Sequence, residues 1–412
     1  MSAGPLTLDA ATADFAELLA PLAPEDFLAS SWGRGLRHVR GGAGKFASLM
    51  PWATLNEILR RHRLDFPRLR LVKGGTPLPS SAYLRYATSG RRRTSIPRLK
   101  PADLNKHLRE GATLVLDAVD ELHAPVEELA AALEQLFREH IQVNLYAGFQ
   151  TSRGFDLHWD DHDVFILQVA GRKRWSVYGM TRPFPVSADI EAAERPGHEP
   201  VWQETLEDGD LLYIPRGWWH VAEPLAEPTL HLTVGVHKRT GLDLLRWFSD
   251  RMRASELFRR DLPRLGDSEE RARHAAALRE ELLNAWDDAL VGRFFEEQDA
   301  QAEPRAAPSM PWSATGEVLP PAPSAVVRWA APRPVEMKEE GGAVEFVCVK
   351  KRWRFAPAAL HVLRPLAERR VCSVAELCEE ARGRLDEKTV KAFVGELLLN
   401  GLVVVSEDGG RG

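Results

Sequence analysis

The stretch Gly209-Asp210-Leu211-Leu212-Tyr213-Ile214-Pro215-Arg216-Gly217-Trp218-Trp219-His220 decides the fold of this 412-residue chain. Leu211 to Ile214 read as a short apolar strand. Pro215 then locks φ, and Gly217 tolerates backbone conformations closed to other residues, so together they fix a turn. The turn returns the chain across the mouth of a barrel. His220 opens the return strand and can point inward.

Sixty residues before His220 stands the pair in His158-Trp159-Asp160. Alternate residues of a strand share a face, so positions 158 and 160 both point into the barrel. Two imidazoles and one carboxylate on one face of an iron leave three positions open. That suits an ion that binds a bidentate cosubstrate and dioxygen. The neighbours are weaker ligands. His162 shares the parity of 158 and 160, Asp161 and Asp163 face the other way as support or surface, and His231 and His237 lie on the last strand. The run Gly171-Arg172-Lys173-Arg174-Trp175 follows the apolar VFILQVA. By parity Lys173 lies on the side of His158 and Asp160, where a buried ammonium can hold a carboxylate; Arg172 and Arg174 are the next candidates.

The surroundings agree with a barrel. Between about 140 and 240 the short runs IQVNLYAG, FDLHWD, VFILQVAG, RWSVYG, DLLYIP and LHLTVGVH are separated by Gly, Pro and Asp, the pattern of many short strands. Residues 1–140 read as helix and loop, with helices at 52–62, 101–109 and 125–140 and a strand at 112–117. Arg91, Arg92 and Arg93 form a basic loop. Residues 241–298 turn helical, with Leu244, Leu245, Trp247, Phe248 and Met252 on one stripe. A Pro- and Ala-rich linker is expected over 299–343. Residues 344–412 give strand, three helices and strand, the outline of a winged helix, with Ser373 as a helix N-cap.

Composition excludes several classes. The 54 basic and 59 acidic side chains leave a formal charge of −5, which exerts no general pull on nucleic acid or anionic membrane. No signal peptide or apolar run of membrane-spanning length is read. Cys348, Cys372 and Cys378 match neither a disulfide scaffold nor a zinc site and suit a reducing cytoplasm.

The spacing Gly-x5-Pro-x-Gly-x2-His is similar to the second signature of cupin barrels. Together VNLYAGF, GFDLHWDDHDVFILQVAGRKRW, ETLEDGDLLYIPRGWWH and LHLTVG resemble the JmjC-type ribosomal oxygenases, and the lead-in GATLVLDAVDEL fits as well. The resemblance implies an α+β protein: a JmjC/cupin-like catalytic domain over 1–240, with a double-stranded β-helix core at about 140–240 and helical elaboration, then a helical dimerisation segment and a C-terminal winged helix. It implies Fe(II) on His158, Asp160 and His220, with 2-oxoglutarate and O2 as cosubstrates. Lys173 matches the residue that holds the distal carboxylate of 2-oxoglutarate, Asn144 a polar position near the metal, and Thr233 the last-strand HLT motif. Two places on, where the family often has a serine that contacts the cosubstrate, this chain has Gly235. The implied activity is hydroxylation of an arginine or histidine, at Cβ, in a ribosomal protein or a ribosomally made peptide. Trp159, Arg216 and Trp218 are read as the substrate rim. The rival readings are a JmjC demethylase and a non-catalytic cupin joined to a winged helix as a regulator.

Overall fold

Asp163–Ala170 is an almost unbroken apolar strand because both of its faces are covered. Phe165, Leu167 and Val169 enter one core with the helix residues Phe15, Val126, Ala130 and Leu133. Val164 and Ile166 turn the other way and meet Trp175, Val177, Leu206, Leu212 and Ile214. The second group comes from two different sheets, so these residues fill the space between them.

The computed structural model describes residues 10–89, 94–189, 194–315, 319–320 and 322–406. It divides into Met1–Lys238 and Arg239–Arg411. In the first unit, one antiparallel sheet runs Arg37–Val39, Leu211–Ile214, Asp163–Ala170, Thr229–His237, His140–Gly148, Thr113–Leu116, Leu69–Lys73, Thr76–Pro77. The smaller sheet has Lys173–Val177 between Trp202–Leu206 and His220–Pro224. Helix Ala124–Phe137 starts with proline in its first turn and buries Val126, Ala130 and Leu133, one face at helical spacing.

Two expectations are corrected here. The segment 1–140 holds more than helix, loop and the expected strand, found at Thr113–Leu116: Arg37–Val39, Leu69–Lys73 and Thr76–Pro77 also widen the large sheet, and Leu84–Ser89 pairs with Thr94–Leu99. Strands this short show no periodicity, and only their partners define them. FDLHWD is likewise not a strand. His158 makes an isolated bridge to His220, and its neighbours are irregular. Arg91, Arg92 and Arg93 lie outside the described residues.

In the second unit, Thr240 and Asp243 form a capping box for helix Gly241–Arg251. Trp247 and Phe248 of that helix pack with Leu290 and Phe294. The stretch read as a linker is corrected as well: it holds Val326–Trp329, the central strand of a sheet with Val371–Ser373 and Val403–Ser406. Val327 and Trp329 are buried at the heart of that core, so an Ala- and Pro-rich composition hid a packed strand. Helices Leu360–Arg369, Val374–Glu380 and Glu387–Leu399 complete it, the second capped by Ser373 and Glu376. Among the described residues, no helix is long and apolar enough to cross a membrane.

Candidate metal centre

Two backbone hydrogen bonds set His158 and His220 side by side: His158 N–H donates to His220 O at 3.2 Å, and His220 N–H to His158 O at 2.7 Å. Gly217 N–H donates to Asp160 O at 2.9 Å and ties the turn to the same segment. Gly217 has φ 82°, and a Cβ there would stand 2.6 Å from Pro185 Cδ, so the turn requires glycine. As a result, ligand atoms of His158, Asp160 and His220 lie within 4.8 Å of one another. Nε2 of His158 is 4.0 Å and Nε2 of His220 3.5 Å from the Asp160 carboxylate.

The tautomers follow from the partners. His158 Nδ1–H donates to Asp156 O at 2.8 Å, and His220 Nδ1–H to Trp218 O at 3.0 Å. A carbonyl only accepts, so both protons sit on Nδ1 and both Nε2 lone pairs are free toward Asp160. Burial, reinforced by His158 beside it, pushes the His220 imidazole down to about 4, so it is a neutral donor at neutral pH. Two neutral imidazoles and a carboxylate with open space before them fit a ferrous ion that must keep sites free.

A second group, Asp161, His162 and His237, also lies within 4.8 Å. Its geometry differs. The rings of His162 and His237 stack at 4.2 Å with planes 29° apart, whereas those of His158 and His220 are inclined at 58°. In-plane lone pairs of nearly parallel rings run side by side and do not converge on one ion.

The first group opens on a cavity of about 200 Å³, also lined by Tyr146, Lys173, Trp175, His231 and Thr233. Lys173 is 6% exposed and has no hydrogen bond or ion pair among the described residues. Burial pushes its ammonium down to about 7. A buried cation without a partner is costly unless an anion joins it, so the cavity is built to receive one. His231 stacks flat on Tyr146 at 4.9 Å and meets the edge of Trp175 at 5.5 Å. Burial, and then the charge of Lys173, holds His231 well below the usual histidine range.

The structure therefore brings His158, Asp160, His220, Lys173 and Thr233 to one cavity. The other predicted residues stand apart from it. Asn144 is opposite Thr233 in register, but its Oδ1 accepts from Ala118 N–H at 3.0 Å and Gln142 Nε2 at 3.1 Å, and it does not line the cavity. Trp159, Arg216 and Trp218 do not line it either. Trp218 packs on the core between the sheets, and Arg216 lies over the Phe184 ring at 5.7 Å. Tyr146 was missed, and His231, read only as a weak ligand on the last strand, lines the cavity instead; alternation signals both, since they share strand faces with Asn144 and Thr233. At Gly235 a Cβ would stand 2.9 Å from Cδ2 of His162, so the imidazole fills the space that a side chain would occupy.

With this geometry in hand, the comparisons fall into place. A model of the JmjC domain matches residues 121–244. Ribosomal oxygenase 1 of Gallus gallus is 32% identical over 232 residues, covering 55% of this chain and 37% of the relative. The bifunctional lysine-specific demethylase and histidyl-hydroxylase NO66 of Drosophila persimilis is 26% identical, covering 54% and 31%. This chain thus spans about a third of the length of those relatives. Among solved structures, YcfD, a ribosomal oxygenase from Escherichia coli in complex with cobalt and 2-oxoglutarate, superposes with a TM-score of 0.55 at 21% identity, covering 94% of this chain and 99% of that one. That likeness concerns the fold. Residues 121–244 of this chain thus match the JmjC domain.

Proposed function

We propose that this chain is an Fe(II)- and 2-oxoglutarate-dependent oxygenase that hydroxylates an arginine or histidine side chain, at Cβ, in a ribosomal protein or a ribosomally made peptide. One observation carries the reading: His158, Asp160 and His220 share a single cavity with Lys173, a buried ammonium that has the Trp175 ring at 5.8 Å but no hydrogen bond or ion pair among the described residues. A dicarboxylate that chelates the metal at one end and meets a cation at the other fits that arrangement. Iron, when bound, couples oxidative decarboxylation of 2-oxoglutarate, to succinate and carbon dioxide, with insertion of the other oxygen atom of O2 into a C–H bond. The protein's part is positional. His158, Asp160 and His220 hold the ion, Lys173 holds the distal carboxylate with Thr233 beside it, and the apolar walls from Val164, Ile166 and Trp175 keep water out.

The names of the relatives support the substrate class, since both ribosomal oxygenases and a histidyl-hydroxylase are among them. A demethylase reading follows from the same names. A regulatory, non-catalytic reading gives no account of why Lys173 is buried without a counter-charge. Incubating the protein with Fe(II), 2-oxoglutarate and either ribosomal proteins or precursor peptides, followed by intact-mass analysis, decides among the three. The expected result is a gain of one oxygen on an arginine or histidine. Loss of a methyl group from a methylated lysine would favour demethylation, and no mass change with any substrate would favour the regulator.

We place the protein in the cytoplasm as a homodimer, with residues 326–406 as a winged-helix module, wider than the expected 344–412 at its start because Val326–Trp329 is its central strand. Leu245, Leu283, Trp286, Val291 and Phe295, on or beside the helices after residue 240, leave 46–66% of their surface exposed, and large apolar side chains left in water at a patch mark an interface. Light scattering of the wild type should give a dimer mass at micromolar concentration, and a Leu245→Asp/Phe295→Asp variant a monomer. A monomeric wild type would refute the assembly.

A further inference from the structure

Asp163 is fully buried, three residues beyond Asp160, and takes no part in the cavity wall. Three donors reach its carboxylate. Oδ1 accepts from Arg216 N–H at 3.1 Å, inside the turn that delivers His220. Oδ2 accepts from Lys238 Nζ at 2.6 Å and from the Tyr213 hydroxyl. The network continues outward: Gly33 N–H donates to the Tyr213 oxygen at 2.8 Å, and the Lys238 ammonium lies 4.7 Å above the Trp32 ring. The segments carrying Asp163, Tyr213 with Arg216, and Lys238 therefore meet on one carboxylate, and the Trp32–Gly33 segment backs the last two. Two of them are the segments that carry the metal-ligand candidates: Asp163 follows His158 and Asp160, and Arg216 precedes His220.

A buried carboxylate persists only where charge and hydrogen bonds compensate it, so its geometry is strongly determined. We propose that Asp163 is the positioning residue of the metal centre: it anchors the turn 215–217 and thereby sets the separation between His220 and the Asp160 segment. The Gly217 N–H to Asp160 O bond closes the same loop from the other side. Lys238 supplies the charge that faces the buried carboxylate, and Tyr213 directs it. This inference rests on His158, Asp160 and His220 being the ligands. Groups that orient metal ligands from behind typically change metal affinity about 10–100-fold when removed.

The test is Co²⁺ titration of the full chain, read by the visible absorption of the bound ion well below each melting temperature. Asp163→Asn should weaken Co²⁺ binding at least about tenfold in protein that is still folded by circular dichroism. Asp163→Asn/Lys238→Met removes the stranded charge, so it should recover melting temperature without recovering Co²⁺ affinity. Leu232→Ala is the structural control. Leu232 is buried in the core on the far side of the sheet, so this variant should melt earlier and bind Co²⁺ like the wild type. Should Asp163→Asn not fold, Tyr213→Phe removes one directing donor and keeps the charge, and is expected to weaken binding several-fold. Wild-type affinity in Asp163→Asn, or in Tyr213→Phe where that stands in, overturns the proposal, as does equal weakening by Leu232→Ala. A wild type that binds no Co²⁺ instead overturns the ligand assignment itself.

Discussion

The His220→Ala protein is expected to fold and to form almost no succinate from 2-oxoglutarate. His220 is 5% exposed, and its Nε2 is one of three candidate ligand atoms gathered before the open face. Losing a direct ligand should exceed the 10–100-fold cost typical of groups behind the ligands, so turnover is expected to fall at least about 100-fold. The fold survives because the paired backbone bonds between residues 158 and 220 do not involve the side chain. Truncating a buried imidazole leaves a small void, costing about 1–3 kcal/mol. His158→Ala and Asp160→Ala should behave alike. Succinate measured by NMR beside a circular-dichroism melt checks the prediction. Wild-type succinate from His220→Ala would move the metal elsewhere, and Asp161, His162 and His237 would be the first place to look.

Lys173→Met should raise the KM for 2-oxoglutarate at least tenfold while raising the melting temperature of the protein without cosubstrate. The two effects share one origin. An ammonium buried without a counter-charge destabilises the empty protein, and the same ammonium binds the incoming carboxylate; losing a buried charged hydrogen bond costs about 2–5 kcal/mol. The pH dependence follows from burial, which moves this amine from 10.5 down to about 7. Above pH 7 the empty site is neutral, so binding the carboxylate must also take up a proton, and KM should climb by up to about tenfold per unit. Below pH 7 the amine is already charged, and its contribution to KM is flat. Stability carries the opposite sign. Between pH 7 and 10.5 the unfolded chain binds more protons at this residue than the folded one, so stability gains with pH across that window. Lys173→Met loses both dependences. A KM unchanged in Lys173→Met, or a wild-type profile without the rise above neutrality, would sink the assignment.

What could be read beforehand depended on where each signal is stored. Lys173 announces itself through side-chain chemistry at strand parity. His158, Asp160 and His220 do so through ligand chemistry and spacing, since His158 and Asp160 stand in an irregular segment where no alternation holds. Thr233 came from resemblance, His231 was read only as a weak ligand, and Tyr146 was not read at all, although strand alternation contained both. Asn144 and Trp218 show the limit of position alone. Both sit near the site in sequence, yet hydrogen bonds to Ala118 and Gln142 engage one, and the core between the sheets takes the other. The strands Arg37–Val39 and Val326–Trp329 are held by partners far along the chain, and a three- or four-residue segment carries no period of its own. The Asp163 network escaped for the same reason, since nothing local announces that Lys238 will come to rest on it.

The packing of Gly235 against His162 makes the two positions a single unit for substitution. A side chain at 235 would need the volume that the His162 ring occupies, 2.9 Å from where its Cβ would stand. Gly235→Ser therefore requires the imidazole to turn away, whereas Gly235→Ser with His162→Ala removes that obstacle. The cost of the two changes should not add, and a double-mutant cycle of melting temperatures would read that coupling directly.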